Sequence, residues 1–365
     1  AEKNVMDDSR AKRVTSPTPP NLVSLPDSFD AVSRSLNEAQ SNADEIIDRY
    51  YTIAGKTIRL RFAGPALIPY VTRALEHASI EPVAQPDLTI NVWDSASTRS
   101  KIPDVAWFKS YRQEPGVILS VREGSHCMAY QSNTGVLSFL DIAETTGYYW
   151  VADAERLPYY EVARPMSLLL HWWFHHEGYQ MLHAAAIGLD GKGIVLAGKG
   201  GSGKSSTSLH WLEAGLGYAG DDLCIVRKAI SPTVHSVYNT AMIFPKDVSL
   251  FPSLKPSLAE PFSVNDEKRV AFINNPKRLI NTMFLKALLL PRITQNDKAL
   301  LSPISPSEAM KLLAPSTLLQ LFGAQASSFH TMASFVKKLP SYRLELGTDR
   351  QHGIRLIREF LESLS

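Results

Sequence analysis

The sequence predicts an α/β fold in which a small α+β lobe on the N-terminal side precedes a larger domain. Residues 88–141 contain short β-like runs separated by Asp, Gly, Ser and Asn, which is typical of a strand-rich lobe. From residue 180 the pattern becomes strand, glycine-rich loop, helix and strand, in that order. This succession of elements is typical of an α/β domain.

Length and composition narrow the class of protein. The 365 residues are enough for two ordinary domains, and 44% apolar with 20% charged residues is typical of a soluble globular protein. The 38 basic and 36 acidic side chains leave a net charge of +2, which predicts no nucleic-acid partner. Cys127 and Cys224 have no neighbouring thiol and cannot form a zinc cluster alone, so a reducing cytoplasm is the expected compartment.

Three regions follow from the composition along the chain. Residues 1–27 mix charges with a run of Ser, Thr and Pro, and we interpret them as a disordered tail without a signal-peptide core. Residues 28–160 are the predicted N-terminal lobe, and residues 161–365 are the predicted main domain. The most apolar segment, residues 166–174, is too short to cross a bilayer, so we expect no membrane association.

The first lobe is predicted from alternation and turn residues. Residues 52–62 form two short alternating runs around Gly55 and Lys56, and residues 65–77 have helical spacing. The predicted strands are 88–93, 117–121, 127–130 and 135–141. We interpret the aromatic side chains of this lobe as core residues, namely Trp93, Trp107 and Phe108.

The second domain is predicted in the same way, with each boundary set by turn residues or prolines. A helix over 165–174 begins at a proline, and a strand over 285–290 ends at Pro291. The other predicted strands are 181–187, 194–197, 223–226 and 342–346, and the other predicted helices are 204–214, 306–313 and 349–364.

One spacing resembles a metal-binding helix. His171 and His175 lie four residues apart, which places both imidazoles on one helical face. The zinc-protease signature requires Glu directly after the first His, whereas this chain has Trp172. A partly buried helix end is therefore the favoured interpretation.

The glycine-rich loop carries the strongest chemical signal. Residues 198–205 satisfy the eight-residue pattern in which backbone N–H groups turn inward around phosphate oxygens, and the following helix directs its N-terminal amides at the same anion. Lys204 can neutralise the outer phosphates, and Ser205 offers a hydroxyl suited to Mg²⁺. The sequence therefore predicts a site for a nucleoside triphosphate, with ATP and Mg²⁺ expected. The predicted binding residues are Gly198, Gly200, Gly201, Ser202, Gly203, Lys204, Ser205 and Ser206.

A pair of acidic residues follows the loop's helix. Asp221 and Asp222 come after Gly220 and are predicted to begin an apolar strand, so one carboxylate can bind Mg²⁺ while the other acts as a general base. Neighbours on a strand point to opposite sides, which requires different roles for the two. A solvated turn is the alternative. His183, on the strand before the loop, is either a hydrogen-bonded core residue or a group that contacts the transferred phosphoryl or tunes an aspartate.

Three segments together resemble a known catalytic core. Residues 181–185, 198–205 and 220–222 match, in order and spacing, the core of HPr kinase/phosphorylase and its relatives. The resemblance implies a mixed-sheet P-loop core akin to that of phosphoenolpyruvate carboxykinase. It also implies that Asp222 is the base that activates a serine hydroxyl and that Asp221 assists with metal. The catalytic residues implied are His183, Lys204, Asp221 and Asp222, and the metal-binding residues implied are Ser205 and Asp221.

The later region resembles HPr-kinase-like proteins that are found beside peptide-modification genes. The segments concerned are 238–240, 268–269 and 288–292, and these relatives include kinases that phosphorylate the C-terminal serine of lasso-peptide precursors. The signature with Glu and Arg that HPr kinases carry after the aspartates has no clear counterpart, which argues against HPr as the substrate and against phosphorylase activity. A cation is useful where charge accumulates during transfer, and the candidates are Lys268, Arg269 and Arg292.

Three functions remain open from the sequence. The leading one is an ATP-dependent kinase that acts on a serine of a peptide or protein, in its most specific form a peptide-tailoring kinase. The second is a kinase for a small metabolite such as a free hydroxy amino acid. The third is a nucleotide-responsive binding protein without turnover. The acceptor, the nucleotide preference and the existence of a homo-oligomer are not predicted.

Overall fold

The computed structural model describes residues 25–105, 118–227 and 229–364. The chain divides into two compact units, one of residues up to 48 with 60–67 and 89–157, the other of residues 49–59, 68–88 and 158–365. Of the predicted tail, residues 1–24 lie outside the described residues, and Leu25 already begins a helix.

The described residues up to 157 contain eight strands and several helices, and most of the predicted strands are confirmed within a residue or two. The segment 65–77 is a four-residue helix followed by a 3-10 helix, not the single helix predicted. The elements are α1 (Leu25–Asn42), β1 (Ile46–Ile53), β2 (Lys56–Ala63), α2 (Ile68–Val71), a 3-10 helix (Arg73–Ala78), β3 (Ser79–Ile80), β4 (Leu88–Asp94), α3 (Ser95–Thr98), β5 (Ile118–Glu123), β6 (His126–Gln131), β7 (Val136–Asp141), β8 (Thr146–Val151) and a 3-10 helix (Ala154–Arg156).

The first unit is built on the strands β4, β8, β7, β6 and β5, in that order across the sheet. β4 and β8 are parallel, and the other neighbouring pairs are antiparallel. Its core includes Trp93 and Trp150, each with 1% of its surface exposed, together with residues of α1. Trp93 is thus confirmed as a core residue, whereas Trp107 and Phe108 lie outside the described residues.

Two early segments, 49–59 and 68–88, pack with the second unit although the chain between and after them belongs to the first. The packing is polar as well as apolar. The contacts include a hydrogen bond from Tyr179 Oη to the Ala54 carbonyl (3.0 Å), an ion pair between Lys56 and Glu177 (2.5 Å), a hydrogen bond from the Asn239 amide to the Ala74 carbonyl (3.0 Å) and the Arg73 guanidinium over the Phe272 ring (4.0 Å).

The second unit alternates helices and strands as the sequence predicts. Its elements are α4 (Tyr159–Ala163), α5 (Ser167–His176), β9 (Tyr179–Leu182), β10 (Ala184–Leu189), β11 (Lys192–Ala197), α6 (Lys204–Glu213), β12 (Gly217–Gly220), β13 (Cys224–Arg227), β14 (Thr233–Ser236), β15 (Thr240–Ile243), 3-10 helices (Pro245–Leu250 and Pro252–Ser257), β16 (Arg269–Phe272), β17 (Thr282–Ile293), β18 (Leu300–Pro303), α7 (Pro306–Leu318), α8 (Gln325–Val336), β19 (Ser341–Leu346) and α9 (Arg350–Ser363).

The main sheet of this unit is mixed, which confirms the predicted fold class. Its strand order is β12-β10-β11-β17-β14-β13-β9, and β19 joins it beside β17. β17 is parallel to both β11 and β19, whereas β10 is antiparallel to β11 and to β12. Successive residues of β10 and β11 face opposite sides: Ala186 and Val195 pack in the core with α7 and α8, and Ile187 and Ile194 pack in the core with α6 and α9.

Two details differ from the sequence prediction. The predicted single strand over 181–187 is wrong, because β9 pairs with β13 up to Leu182 and β10 pairs with β11 from Ala184, which leaves His183 between them. The predicted end of a strand at Pro291 is also wrong. β11 pairs with β17 only as far as Leu289, so Pro291 lies where β17 is paired with β19 on one side, and its missing N–H is tolerated there.

Candidate functional site

The glycine-rich loop joins β11 to α6 in the order that the sequence predicts. Gly198, Gly201 and Gly203 have φ values of 147°, 75° and 97°, which residues with a Cβ rarely adopt. A Cβ on Gly203 would also lie 2.6 Å from Cδ1 of Leu346, so the Leu346 side chain on β19 would have to shift to admit a larger residue. The positive φ values therefore explain why the loop has glycine at these three positions.

Lys204 lies at the first position of α6 with only 7% of its surface exposed. Its Nζ donates to the carbonyl oxygens of Gly198 (2.7 Å) and Lys199 (3.2 Å), so the side chain folds back over the loop. Burial lowers the pKa of Lys204, and the nearby carboxylates of Asp222 and Asp221 oppose this shift. The ammonium group is thus held above the loop and close to both aspartates.

Asp221 is buried against the first turns of α6. Its Oδ1 accepts a hydrogen bond from Ser208 Oγ (3.1 Å), and the Ser205 hydroxyl also bonds to this carboxylate. Burial raises the pKa of Asp221 to about 6, with a further contribution from the charge of Asp222. The arrangement brings an oxygen-rich pair, Ser205 and Asp221, to the end of the glycine-rich loop.

Asp222 has a different set of neighbours. Its Oδ2 accepts a hydrogen bond from the Arg164 guanidinium, and its Oδ1 lies 3.0 Å from Nε2 of His183. Burial alone would raise the pKa of Asp222, but Arg164 and His183 outweigh it and hold the pKa well below its ordinary value. The Asp222 side chain remains 23% exposed.

Gln320 closes the group around Asp222 from the end of α7. Its Oε1 accepts from Arg164 Nη1 (2.9 Å), and its Nε2 lies 3.3 Å from Nε2 of His183. The His183 amide donates to Thr317 Oγ1 (3.2 Å), which fixes the backbone between β9 and β10. Sequence reasoning missed Arg164, Gln320 and Thr317, because no local pattern links positions so far apart in the chain to the loop.

The predicted strand position of the two aspartates is wrong. Asp221 and Asp222 lie in the bend between β12 and β13, before the strand rather than on it. Strand alternation therefore does not separate their roles. Their different hydrogen-bond partners do: Asp221 bonds to serines of α6, and Asp222 bonds to Arg164 and His183.

The other predicted site residues differ in how closely they approach Lys204 and the two aspartates. Lys268 is half-buried and acts electrostatically on Lys204 and on both aspartates, and its Nζ lies 4.8 Å from the Phe244 ring centroid. Arg269 instead donates to the Ala259 carbonyl. Arg292 is exposed on β17, in register with Glu345 of β19. Within the loop, Ser202 Oγ is buried without a hydrogen-bond partner, and Ser206 is exposed.

His171 and His175 lie close together on α5, as their spacing predicts. The rings of His171 and His175 have centroids 6.1 Å apart, and His175 Nε2 lies 2.8 Å from Ser327 Oγ. Among the described residues, no group of three or more His, Cys, Asp or Glu side chains is placed to hold a metal ion. His171 is fully buried, which lowers its pKa to about 3.

Comparisons with known proteins find similar solved structures but no matching family model. No protein family and no curated protein matches the sequence. Among solved structures, the chain matches the Hpr(Ser) kinase/phosphatase from Coxiella burnetii with 12% sequence identity and a TM-score of 0.26, over 50% of this chain and 93% of that chain. Within the part of the chain that the structure describes, no helix is both long and apolar enough to cross a membrane.

Proposed function

We propose that this protein is an ATP-dependent kinase that transfers the γ-phosphate to a serine hydroxyl of a peptide or protein. The observation that supports it is the convergence of Lys204 and Ser205 of the glycine-rich loop with Asp221 and Asp222. Phosphoryl transfer needs little covalent chemistry from a protein and depends on positioning and charge stabilisation. This cluster offers both.

The phosphate side consists of the loop and the start of α6. The first amides of a helix have no intrahelical partner, and together with the helix dipole they attract an anion. Lys204 exchanges the carbonyl oxygens of Gly198 and Lys199 for phosphate oxygens when the nucleotide binds. Because Lys204 is buried, its charge acts in a medium where it is poorly screened.

The acceptor side consists of Asp222 and the groups that hold it. A carboxylate oxygen has two lone-pair sites, so Asp222 can accept the acceptor hydroxyl's hydrogen while it stays bonded to Arg164 and His183. A bond forms between the acceptor oxygen and the γ-phosphorus, the bond from that phosphorus to the β–γ bridging oxygen breaks, and ADP leaves with the electron pair. The hydroxyl proton passes to Asp222. Since the transition state of such transfers is loose, an ionised and well-oriented carboxylate matters more than a strongly basic one.

Ser205 and Asp221 fit a magnesium ion by the chemistry of their donor atoms. Both offer oxygen, the ligand that Mg²⁺ prefers, and they are hydrogen-bonded to each other. Mg²⁺ usually takes one or two protein ligands together with phosphates and water, so two oxygen donors are enough on the protein side. When bound, the ion would neutralise charge on the phosphates.

The most specific form of the proposal is a peptide-tailoring kinase of the type that acts on lasso-peptide precursors. It is supported by the sequence resemblance described above, and it implies a peptide partner with an acceptor serine. We further propose a reducing cytoplasm as the site of the reaction. Cys127 and Cys224 are both buried free thiols, and burial raises the pKa of each, to about 11 and about 12. Buried thiols with raised pKa values are unreactive, and unpaired cysteines are usual in proteins of a reducing compartment.

The test is phosphate transfer measured by mass spectrometry. The full chain is incubated with ATP and Mg²⁺, and separately offered peptides with a C-terminal serine, the same peptides with an internal serine, and free serine. Phosphate on a peptide serine supports the proposal, and preference for the C-terminal position supports its specific form. Phosphate on free serine alone would make the protein a metabolite kinase, and nucleotide binding without any transfer would make it a binding protein. Absence of nucleotide binding by both the wild type and Lys204→Ala would overturn the proposal entirely.

A further inference from the structure

A cavity of about 380 Å³ opens beside the glycine-rich loop and is not used by the chemistry described above. Its volume falls within the range of about 300–1,000 Å³ that is usual for small-molecule pockets. Gly203, Ser206 and Thr207, at the start of α6, form one wall, so the cavity is continuous with the loop. Any ligand that fills it must lie next to a bound phosphate chain.

The cavity lies on the far side of α6 from the aspartates. Ser205 and Ser208 contact Asp221, whereas Ser206, Thr207 and His210 line the cavity. At about 100° per residue along a helix, the mean directions of these two sets differ by roughly half a turn. The N-terminal end of α6 therefore lies between the aspartates on one side and the cavity on the other.

A phosphate chain bound over the end of α6 connects these two sides. The Cα atoms of a helix lie on a cylinder with a radius of about 2.3 Å, so a chain that crosses the helix end covers roughly 5 Å of backbone, which a triphosphate can span. If the terminal phosphate lies beside Asp222, the other end of the chain reaches the Ser206 side. The group attached to that end then enters the cavity.

The walls of the cavity suit a flat, partly apolar group with polar edges. Trp211, Ile293, Leu344 and Ile354 supply apolar surface. Hydroxyl, carboxylate and guanidinium groups stand among them, on Thr294, Thr348, Asp349 and Arg350. A heterocyclic base with a ribose has this combination of properties.

We propose that this cavity binds the nucleoside part of the nucleotide, a base with its ribose, while the loop binds the phosphates. The inference rests on the proposed function, because it requires a nucleotide on the glycine-rich loop. It adds to that function a second binding element, formed by the ends of β17 and β19 and by α9, that the sequence motif does not contain.

Gly353 on α9 allows a direct test. It lines the cavity, and a Cβ at this position would meet only Ala299 Cβ, at 3.7 Å, which is ordinary van der Waals contact, so a side chain can start here without a clash. Replacing glycine within a helix also favours the helix. The variant Gly353→Leu should fill the cavity and leave the fold intact. Gln351→Leu places the same side chain on the exposed part of α9, outside the cavity, and is the matched control.

The experiment compares two probes by calorimetry in the presence of Mg²⁺: ATP, and inorganic tripolyphosphate, which has no nucleoside. Gly353→Leu is expected to lose at least tenfold in ATP affinity and to bind tripolyphosphate within twofold of the wild type. Gln351→Leu is expected to bind both probes as the wild type does. Unchanged ATP binding by Gly353→Leu, or equal weakening of both probes, would overturn the inference while the loop site stands. If neither probe binds the wild type, the proposed function itself fails, and the inference fails with it.

Discussion

His171 should make the stability of the protein sensitive to acid, and the size of the effect follows from its surroundings. The side chain is fully buried on α5, and neither ring nitrogen has a hydrogen-bond partner. Burial lowers its pKa to about 3 from an ordinary value of 6.5, and the neighbouring His175 contributes in the same direction. The native state therefore binds fewer protons than the unfolded chain below pH 6.5, so stability falls as the pH falls towards 3.

The magnitude follows from linkage. Each pH unit within this window costs about 1.4 kcal/mol per proton, so acidification from pH 7.5 to 4.5 should remove about 2.5 kcal/mol through His171 alone. The variant His171→Leu should not lose this part of its unfolding free energy on acidification. His77 and His235, whose burial lowers their pKa values to about 4, still contribute in every variant, so its acid sensitivity should decrease without vanishing.

The assay is urea unfolding at pH 7.5, 6 and 4.5, followed by tryptophan fluorescence. The control is His176→Gln, because His176 lies on the same helix but is exposed. The difference in unfolding free energy between His171→Leu and the wild type should grow by about 2.5 kcal/mol between the highest and lowest pH. Parallel curves for these two proteins would refute the reasoning.

Three further predictions concern the site. Asp222→Asn should lower phosphate transfer by about a hundredfold or more, as loss of a general base does, with nucleotide affinity changed by less than threefold in calorimetry; lost nucleotide binding would contradict the assignment. Asp221→Asn should raise the Mg²⁺ concentration needed for half-maximal activity about tenfold, and an unchanged Mg²⁺ titration would remove Asp221 from the metal site. Gly203→Ala should cost about 1–3 kcal/mol in thermal unfolding, because of its φ of 97° and the 2.6 Å approach of Leu346, whereas Gly200→Ala, with open space at its Cβ, should cost less than about 0.5 kcal/mol.

The sequence predicted those parts of the site that are local in the chain. The loop at 198–205 is fixed by glycine conformations and by the helix that follows it, both of which short-range patterns encode. His183 and the two aspartates were found through their spacing relative to this loop. The structure brings all of them together, although their catalytic roles stay predictions until transfer is measured.

The remainder of the site could not be predicted, because it depends on tertiary packing. Arg164 and Gln320 are 156 positions apart and meet only when the folded chain brings the residues after α4 and after α7 together. Arg269 was selected as a neighbour of Lys268, yet on β16 it points to a backbone carbonyl. Pro291 was expected to end a strand, since sequence alone does not reveal that β17 is paired on one side there.

The early segments 49–59 and 68–88, which pack with the second unit, have a practical consequence for work on this protein. No single cut of the polypeptide separates the two units, since the chain passes between them more than once. A fragment that begins at residue 158 would leave Glu177 without Lys56 and would uncover the face of Phe272 that Arg73 shields. Loss of activity in such a fragment, or after deletion of residues 42–150, would reflect a damaged catalytic unit as much as a lost substrate-binding lobe.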